Sequence, residues 1–409
     1  MKNMDRHFDI AQEILDMTEK EMDNLEPVNI LLIGKSGVGK STLINSIFRE
    51  KIADTGTGKP VTKHLQKIFR DDVPVTLYDT RGLELNPKVQ KQVQNEIYSV
   101  IDEKKGSKDA IHVAYYCIQA TSSRIEESEI EMIQAISEKI PVVLVLTQSI
   151  GEQAANFEQV LKEMNLSVAA VHSVLAQPYV ISDDYTVDAF GLTELITRTF
   201  NIIPESVRKA FTNAQQVDIE RKADSAKTWA RRYIVTTFGV GFIPIPFSDA
   251  SLLVPMQVTL LAHITVIFGV PIDRATIMSI IAAVGGTGSA TYIGRSVVSN
   301  AFKFIPGVGS IVGGFISGTT ASIVTRALAQ SYIQVLKIMA TNELEGKETS
   351  TNKLVKMMQN QFKKYIKDNK EELTEGSEDL EKKKSGPLAK AAIVKKTIDN
   401  FIDRIGERF

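Results

Sequence analysis

The pattern of hydrophobic and polar positions changes near residue 202. From Val28 to about Phe200, short and continuous apolar runs alternate with amphipathic segments, whereas from Ile202 onward the pattern is helical throughout. Buried parallel strands give uninterrupted apolar runs, and helices on both faces of such a sheet give the amphipathic segments between them. We therefore predict an α/β domain over 28–202, with a mainly parallel sheet, followed by an all-α region.

The α/β half contains a regular succession of expected elements. Residues 5–25 predict an amphipathic helix that Pro27 ends, so that an N-terminal helical segment, 1–27, precedes the first strand at 28–33. The remaining strands are expected at 65–69, 75–79, 110–118, 141–146 and 179–181. The remaining helices are expected over 87–103, 126–139, 153–164 and 192–200.

The helical half divides by charge. Residues 203–340 predict an apolar helical domain, in which 233–272 hold the single formal charge of Asp249, and 341–409 predict a charged helical C-terminal region. The apolar segments fit two arrangements, because a membrane span needs about 20 apolar residues. One is a helical domain that is soluble or reversibly associated with membrane lipid. The other is stable insertion, which prolines and polar residues within the segments disfavour.

Bulk composition narrows the class of protein. The 409 residues include 48 Lys and Arg against 49 Asp and Glu, a balance that gives no indication of a nucleic-acid partner. A single cysteine, Cys117, excludes an internal disulfide framework and is typical of a reducing compartment. The first 30 residues lack the apolar core of a signal peptide. We expect a cytoplasmic protein, and reversible association with lipid would bring its helical half to the inner face of the cell membrane.

One glycine-rich stretch carries the most specific chemistry. Gly34-Lys35-Ser36-Gly37-Val38-Gly39-Lys40-Ser41 lies between an apolar strand and a helix that starts with Thr42, and its spacing is G-x-x-x-x-G-K-S. In such a P-loop the glycines let backbone N–H groups approach phosphates, and the helix N-terminus adds the positive end of its dipole. Lys40 can reach the β- and γ-phosphates, and the Ser41 hydroxyl can bind Mg²⁺. We therefore predict a P-loop NTPase domain.

Two further features lie where such a site needs them. Asp79-Thr80-Arg81-Gly82 follows a strand about 40 residues after Lys40, so the Asp79 carboxylate can hold Mg²⁺ through water and the Gly82 amide can bond a γ-phosphate. Thr62 directly precedes the next expected strand and is the candidate for a hydroxyl that binds Mg²⁺ only when the γ-phosphate is present. Thr55 and Thr57 compete for the same role.

Together the P-loop, the intervening threonine and D-x-x-G resemble the Era-like GTPases. Thr121-Ser122-Ser123-Arg124-Ile125-Glu126 also resembles the septin and immunity-associated branches of that class. The whole chain is similar to a bacterial family that joins an Era-like GTPase to an apolar helical domain of unknown function, on the strength of Ile243–Asp249 and of Ile305–Gly309. The resemblance implies GTP and Mg²⁺ as cofactors and a homodimer or oligomer formed through the GTPase domain.

The expected base-specificity motif, N/T-K-x-D, is incomplete. After the strand that ends at Leu146 the sequence reads Thr147-Gln148-Ser149-Ile150, without the aspartate that would pair with guanine. Thr147 and Gln148 remain candidates for lying along the base, and Ser182 falls where the family's last base-contacting loop is expected. Guanine preference therefore follows from the resemblance, and an ATPase stays open as an alternative.

The position after Gly82 is also unusual. It is occupied by Leu83, which cannot polarise water as a glutamine would. We expect a switch protein that hydrolyses GTP slowly, with Lys40, Thr62 and Gly82 as its catalytic groups, and with hydrolysis raised by a dimer mate, a partner or a cation. Lys35, Arg81 and Arg124 could supply charge across that contact. The alternative is a nucleotide-dependent oligomeric or membrane-remodelling scaffold with negligible hydrolysis.

Overall fold

The computed structural model describes residues 9–81, 83, 87–238, 245–246, 250–285, 315–316 and 318–369. These residues form two compact units. The first unit spans Glu21–Lys222, and the second combines residues up to Lys20 with those from Ala223 onward. The expected helix over 388–405, the Gly-rich segment at 305–309 and most of 286–317 lie outside the described residues, as does Gly82.

Strands and helices follow the alternation that the sequence predicts. The strands are Val28–Ile33 (β1), Thr57–Pro60 (β2), Leu65–Arg70 (β3), Val73–Thr80 (β4), Val113–Gln119 (β5), Val142–Thr147 (β6), Ala170–Ser173 (β7), Tyr179–Ser182 (β8), Tyr185–Val187 (β9), Ile245–Pro246 (β10) and Phe315–Ile316 (β11). The helices of the first half are Ile10–Asp23 (α1), Lys40–Ile47 (α2), Ile52–Thr55 (α3), Pro87–Lys104 (α4), Glu127–Ser137 (α5), Gly151–Glu163 (α6) and Leu192–Ile202 (α7). Those of the second half are Glu205–Ala214 (α8), Ile219–Phe238 (α9), Ala250–Phe268 (α10), Arg274–Gly285 (α11), Gly318–Leu344 (α12) and Thr351–Asp368 (α13).

A seven-stranded sheet organises the first unit. Its order is β2-β3-β4-β1-β5-β6-β7. β4, β1, β5, β6 and β7 are parallel, and β2 and β3 extend that sheet as an antiparallel hairpin. The mainly parallel α/β sheet, with a helical region after it, confirms the fold class predicted from the sequence.

Both faces of the sheet are buried, which explains the continuous apolar runs of its central strands. On one face α2, α7 and α8 contribute a cluster that includes Ile44, Leu195 and Phe211. On the other face α4, α5 and α6 contribute a second cluster that includes Ile97 and Ile133. A strand covered on both faces gains nothing from polar positions, so β1, β5 and β6 are apolar almost throughout.

The last strand of the sheet differs from the expectation. β7 (Ala170–Ser173) occupies the sheet edge, whereas the strand expected at 179–181 is β8, which pairs with β9 in a separate two-stranded hairpin. The apolar run around Val171 precedes β8 in the sequence, and both runs are short. Periodicity could not decide which of the two joins the sheet, because joining depends on pairing with β6, a tertiary contact.

The helix α8 lies in the first unit, although the sequence assigned it to the helical domain that was expected to start at residue 203. Val207, Ala210 and Phe211 are buried, and the Phe211 ring meets that of Phe48 edge-on with 6.0 Å between centroids. The sequence of an amphipathic helix predicts an apolar face, but it does not predict which part of the protein that face packs against.

The second unit is a group of packed helices. α12 packs against α10 and α13, and α11 packs against α13. The buried hydroxyls of Thr265 and Tyr332 lie 2.8 Å apart inside this unit, and at its surface Arg274 donates to the Asp9 carboxylate at 2.8 Å. Among the residues that the structure describes, no helix is both long and apolar enough to cross a bilayer.

Candidate nucleotide-binding site

The P-loop joins β1 to α2 at the carboxyl ends of the parallel strands. Gly39 caps α2 with φ 93°, a left-handed conformation that favours glycine. At Gly34, with φ 148°, a Cβ atom would lie 2.5 Å from the carbonyl oxygen of Cys117. The loop therefore needs its glycines to turn and to lie close to β5.

The Lys40 ammonium bonds the loop itself. Its Nζ donates to the carbonyl oxygens of Gly34 at 2.7 Å and of Lys35 at 3.2 Å. These bonds fold the side chain over the loop that would surround a phosphate. Ser41 and Thr42, which follow Lys40 in the first turn of α2, are exposed at the same helix N-terminus.

Asp79 is the carboxylate next to this loop. It is the second-last residue of β4 and pairs with Leu32 of β1, and its Oδ1 atom is buried without a hydrogen-bond partner among the described residues. Burial raises the pKa of the Asp79 carboxyl, and the positive charges of Lys40 and Arg81 offset only part of that rise. A buried carboxylate oxygen without a partner fits a cation, directly or through water, because ionised carboxylates are acceptors only.

The loop after Asp79 is described only in part. Gly82, which the sequence assigned to the γ-phosphate and to catalysis, lies outside the described residues. Leu83 is buried, and its carbonyl oxygen accepts a hydrogen bond from Gln90 at 3.0 Å. An apolar and buried side chain at this position supplies no group that could orient water.

Thr62 lies in the turn between β2 and β3, on the same edge of the sheet as Asp79. Its hydroxyl donates a short hydrogen bond to Oε2 of Glu96 in α4 and accepts one from the Leu65 amide at 3.1 Å. Glu96 also accepts from the His64 amide at 3.0 Å, and its Oε1 lies 2.9 Å from the His64 Nδ1. Burial raises the pKa of Glu96, but the bonds from Thr62 and His64 outweigh it and hold the pKa below the usual range.

Glu96 is therefore a residue that sequence reasoning missed. It sits in the middle of an ordinary amphipathic helix, and no motif marks it. Its role becomes visible only in the structure, where α4 packs beside the β2–β3 turn and the Glu96 carboxylate accepts the hydrogen bond of the Thr62 hydroxyl.

The base end of the site is built by the segments after β5 and β6. Thr147 is buried, and its hydroxyl bonds the carbonyl oxygen of Val38 in the P-loop and lies 3.2 Å from that of Ile118. Gln148 has φ 52° and accepts a hydrogen bond from Gln119 at 3.0 Å. Its Nε2 lies 3.6 Å from where a Cβ on Gly39 would be. Thr147 and Gln148 thus lie beside the P-loop, and their contact with a base stays a prediction.

Ser182 does not belong to the seven-stranded sheet whose strand ends carry Thr147 and the P-loop. It ends β8 in the separate hairpin and is exposed, and the sheet strand after β6 ends instead at Ser173. Val174, the next residue, accepts a hydrogen bond from the Ser149 amide at 3.2 Å. The choice of Ser182 assumed that 179–181 was the last sheet strand, and this assumption was wrong.

The three candidate cations lie in different settings. Lys35 bonds Glu126 at 2.7 Å and lies 3.6 Å from Glu129, and although burial works against it, these carboxylates hold its pKa above the usual value. Arg81 and Arg124 are exposed. Lys35 is thus tied to α5, whereas the two arginines face solvent.

Comparison with known proteins covers the segment that contains these residues. Residues 29–148, which run from β1 to Gln148, match the family described as 50S ribosome-binding GTPase. This part of the chain is a P-loop GTPase domain. The matched segment contains the P-loop, Thr62, Asp79 and both Thr147 and Gln148, and it ends before the separate hairpin.

Curated relatives match over the same kind of segment. Human Septin-9 is 27% identical over 161 residues, which cover 32% of this chain and 27% of that protein. GTPase Der of Buchnera aphidicola is 33% identical over 96 residues (23% and 20%), and Translocase of chloroplast 108 of Physcomitrium patens is 41% identical over 96 residues (22% and 9%). The chain thus spans about a quarter or less of the length of these relatives.

Solved structures show similarity over a comparable stretch. A probable GTP-binding protein engB aligns with 20% identity and a TM-score of 0.28, covering 43% of this chain and 98% of that one. Cdc11 from Saccharomyces cerevisiae aligns with 16% identity and a TM-score of 0.23, covering 44% and 80%.

Proposed function

We propose that the chain is a GTP-dependent switch that binds GTP with Mg²⁺, hydrolyses it slowly and transmits its nucleotide state to the helical half. The observation that carries the proposal is the arrangement at the phosphate end. Lys40 folds over its own loop, and beside it Asp79 presents a buried oxygen without a partner among the described residues. Phosphate and cation together would satisfy both groups.

The residue roles follow from that arrangement. The backbone from Gly37 to Thr42 and the Lys40 ammonium would hold the β- and γ-phosphates. The Ser41 hydroxyl and the Asp79 carboxylate would hold Mg²⁺, which when bound neutralises charge on those phosphates. Gly82 is proposed to donate its amide to the γ-phosphate.

The switch would be an exchange of partners by Thr62. Its hydroxyl is bonded to Glu96, and with GTP present it would turn instead to the cation beside the γ-phosphate. The turn that contains Thr62 is anchored to β4 by the bond from the Arg81 amide to the His64 carbonyl oxygen at 2.9 Å. Movement of Thr62 would therefore displace the segment that follows Asp79.

Slow hydrolysis follows from the position after Gly82. Leu83 is buried and apolar, so a second molecule or a cation has to supply the group that stabilises the transition state. Arg81 and Arg124, which are exposed, remain candidates for reaching across such a contact.

Hydrogen bonds at the C-terminal end of α2 connect the P-loop helix to the segment that precedes α9. The Gln216 amide donates to the Ile47 carbonyl oxygen at 2.9 Å, and the Gln216 side chain donates to that of Asn45 at 3.1 Å. Gln216 lies just before α9, which continues beyond Lys222. These bonds support the proposal that a shift of α2 reaches α9. Reversible association of the helical half with membrane lipid is part of the proposal, and liposome flotation with a carbonate wash tests it.

The deciding experiment measures binding of labelled GTP, GDP and ATP to the full chain, with and without Mg²⁺. We expect GTP to bind more tightly than ATP, to need Mg²⁺, and to be hydrolysed in a single turnover that is slow for the dilute protein. Preference for ATP would contradict the GTP assignment, and fast turnover by a monomer would contradict the need for a partner.

A second candidate is a nucleotide-dependent scaffold with negligible hydrolysis. The exposed apolar hairpin formed by β8 and β9 favours it, since that surface offers an assembly contact apart from the phosphate end. Phosphate release measured beside mass by light scattering separates the two functions: the scaffold changes its mass with nucleotide and releases no phosphate.

A further inference from the structure

The helix α13 exposes a face that carries charge of a single sign. Five lysines lie along it, and all five are exposed. We call them the lysine stripe: Lys353, Lys356, Lys363, Lys364 and Lys367. The one carboxylate of α13 is Asp368, its last residue. The helix α6, by comparison, exposes Lys162 directly beside Glu163. A surface that is merely solvated usually mixes the two signs in that way, so the stripe needs a further explanation.

The lysine stripe lies opposite the face by which α13 is packed. At ~3.6 residues per turn the five lysines fall within an arc of about 100°, and a rise of ~1.5 Å per residue makes the stripe roughly 21 Å long. The buried residues of α13 form the opposite arc: Leu354, Met358, Phe362 and Ile366. Because α13 packs on α11 and α12, the stripe faces away from these two helices.

The neighbouring elements compensate the charge of the stripe at one end only. The two helices that pack on α13 contain a single carboxylate, Glu343 near the end of α12. The turn before α13 adds Glu348 and Glu345, and Lys347 bonds the Glu345 carboxylate at 2.6 Å. All three carboxylates lie where α13 begins. A row of cations with so little compensation attracts an anionic partner.

The composition of the stripe favours a membrane surface over a nucleic acid. Its cations are all lysine, which acts as a hydrated point charge, whereas nucleic acids are typically bound with arginine forks and stacked aromatic rings. α13 contains no arginine, and its two aromatic side chains, Phe362 and Tyr365, are buried and half-buried. A leaflet of anionic lipid is flat and its charges have no fixed order, so a straight row of lysines suffices to bind it.

We propose that the lysine stripe is the surface by which the helical half binds a membrane, and that its partner is a leaflet rich in anionic lipid. The inference rests on the proposed function in one respect, the reversible association of the helical half with lipid. It adds the residues that make the contact and the charge of the lipid. It is independent of the GTP assignment, because α13 contains none of the candidate nucleotide-binding residues.

The contact is electrostatic and involves no insertion of α13. The apolar arc of the helix is already buried, and the exposed large apolar side chains among the described residues all lie on other segments. Each lysine near an anionic leaflet raises membrane partitioning about fivefold. Several lysines together give a reversible attachment that salt weakens, since the Debye length falls to ~3 Å at about 1 M salt.

The test is sedimentation of the full chain with lipid vesicles in the absence of nucleotide. One set of vesicles contains phosphatidylcholine alone, and the other contains about 30% phosphatidylserine to supply the anionic charge. We expect at least about tenfold stronger binding to the anionic vesicles, and release of the protein at about 1 M salt.

Neutralising the stripe should remove this binding. The stripe variant combines four substitutions at exposed positions: Lys353→Gln, Lys356→Gln, Lys364→Gln and Lys367→Gln. At about fivefold per lysine it should bind anionic vesicles at least about a hundredfold more weakly than the wild type. Arginine at the same four positions should preserve binding, because the contact needs charge rather than a particular side chain.

A matched control separates the stripe from the overall charge of the chain. It removes the same charge from exposed lysines of the first unit and should bind vesicles like the wild type: Lys91→Gln, Lys105→Gln, Lys108→Gln and Lys209→Gln. Circular dichroism on the same samples shows that all variants stay folded. Binding of labelled nucleotide separates the two proposals, since a wild type that binds vesicles but no nucleotide would contradict the GTP switch and support the stripe.

The inference is overturned if the stripe variant binds anionic vesicles like the wild type, or if the control variant loses as much binding as the stripe variant. Equal binding to neutral vesicles, or binding that survives about 1 M salt, would also overturn it, because either result indicates an apolar contact. Tighter binding of the stripe to duplex DNA or RNA would assign it to a nucleic acid instead. A wild type that binds neither kind of vesicle would overturn it as well, and the acidic run at 371–381 would then be the candidate to cover the stripe.

Discussion

The phosphate end and the base end of the candidate nucleotide site both lie where the parallel strands end, but only the base end departs from the usual GTPase motifs. At the phosphate end the P-loop glycines, Lys40 and Asp79 converge as the motifs require. At the base end Thr147 is packed into the P-loop and Gln148 lies beside Gly39, yet no aspartate follows.

The difference shows how each end gains affinity. Phosphate binding relies on backbone amides and one ammonium, so the loop geometry alone nearly specifies it. Base recognition relies on one or two side chains at exact positions, so a single substitution removes most of the discrimination. We therefore expect a site with strong phosphate binding and weak base selectivity, and four predictions test this contrast.

The largest effect is expected at the phosphate end. Lys40→Ala removes the charge-assisted bonds to the phosphates and should weaken GTP and GDP binding at least about a hundredfold. Equilibrium binding of a labelled nucleotide measures this loss. Lys63→Ala, an exposed cation beside Thr62, is the control and should bind like the wild type. Equal affinity of Lys40→Ala and wild type would remove the phosphate site from the P-loop.

The next effect is a gain at the base end. Ile150→Asp restores the missing carboxylate at the residue that caps α6, where it could accept from guanine N1 and N2. We expect the preference for GTP over ATP to rise about tenfold, since a charge-assisted hydrogen bond contributes ~1.5 kcal/mol or more. Competition between the two nucleotides measures the ratio. Ile150→Ala separates the new carboxylate from loss of the isoleucine, and an unchanged ratio in Ile150→Asp would show that this segment does not face the base.

A smaller effect is expected from releasing Thr62. Glu96→Ala removes the carboxylate that holds the Thr62 hydroxyl and the His64 amide. Thr62 is then free to serve the γ-phosphate, and affinity for a GTP analogue relative to GDP should rise about fivefold, a coupling of ~1 kcal/mol. Asn95→Ala, an exposed neighbour on α4, is the control. A fall in the ratio would mean that Glu96 supports the GTP state rather than opposing it.

The smallest effect concerns stability. Burial raises the pKa of Asp79, so the folded chain without ligand favours the protonated carboxyl. The stability associated with a raised folded pKa is present below the ordinary pKa of Asp, ~3.9, and is lost as pH rises through the folded value. Asp79→Asn should therefore raise the thermal midpoint of the nucleotide-free protein near neutral pH, and the gain should shrink as pH falls toward the ordinary range.

The same variant should lose the Mg²⁺ dependence of GTP binding, because the amide is a poor ligand for the cation. Asp71→Asn, at an exposed site, should change neither the midpoint nor the Mg²⁺ dependence. A lower midpoint for Asp79→Asn at neutral pH would show that the attraction of Lys40 and Arg81 outweighs burial.

Features that depend on residues close together in the sequence could be predicted, whereas features that depend on tertiary contacts could not. The strands β1, β5 and β6 could be predicted because burial on both faces makes them apolar almost throughout, a local property of the sequence. β7 and β8 could not be ranked, since both are short runs and only pairing with β6 distinguishes them. Ser182 was chosen on the assumption that β8 is the last sheet strand, and that assumption was wrong. Thr147 and Gln148 lie beside the P-loop because β6 was predicted, and their contact with a base stays a prediction.

The sequence by itself predicted a phosphate-binding loop at Gly34–Ser41, because a P-loop is built from consecutive residues whose backbone does the binding. It also located Asp79 and Leu83, each at a fixed offset from a strand end. Only the tertiary structure decided that Glu96 bonds Thr62, that α8 packs on the sheet, and that β8 and β9 form a hairpin outside the seven-stranded sheet. These contacts join residues far apart in the chain, and their energy depends on which surfaces meet rather than on any local pattern.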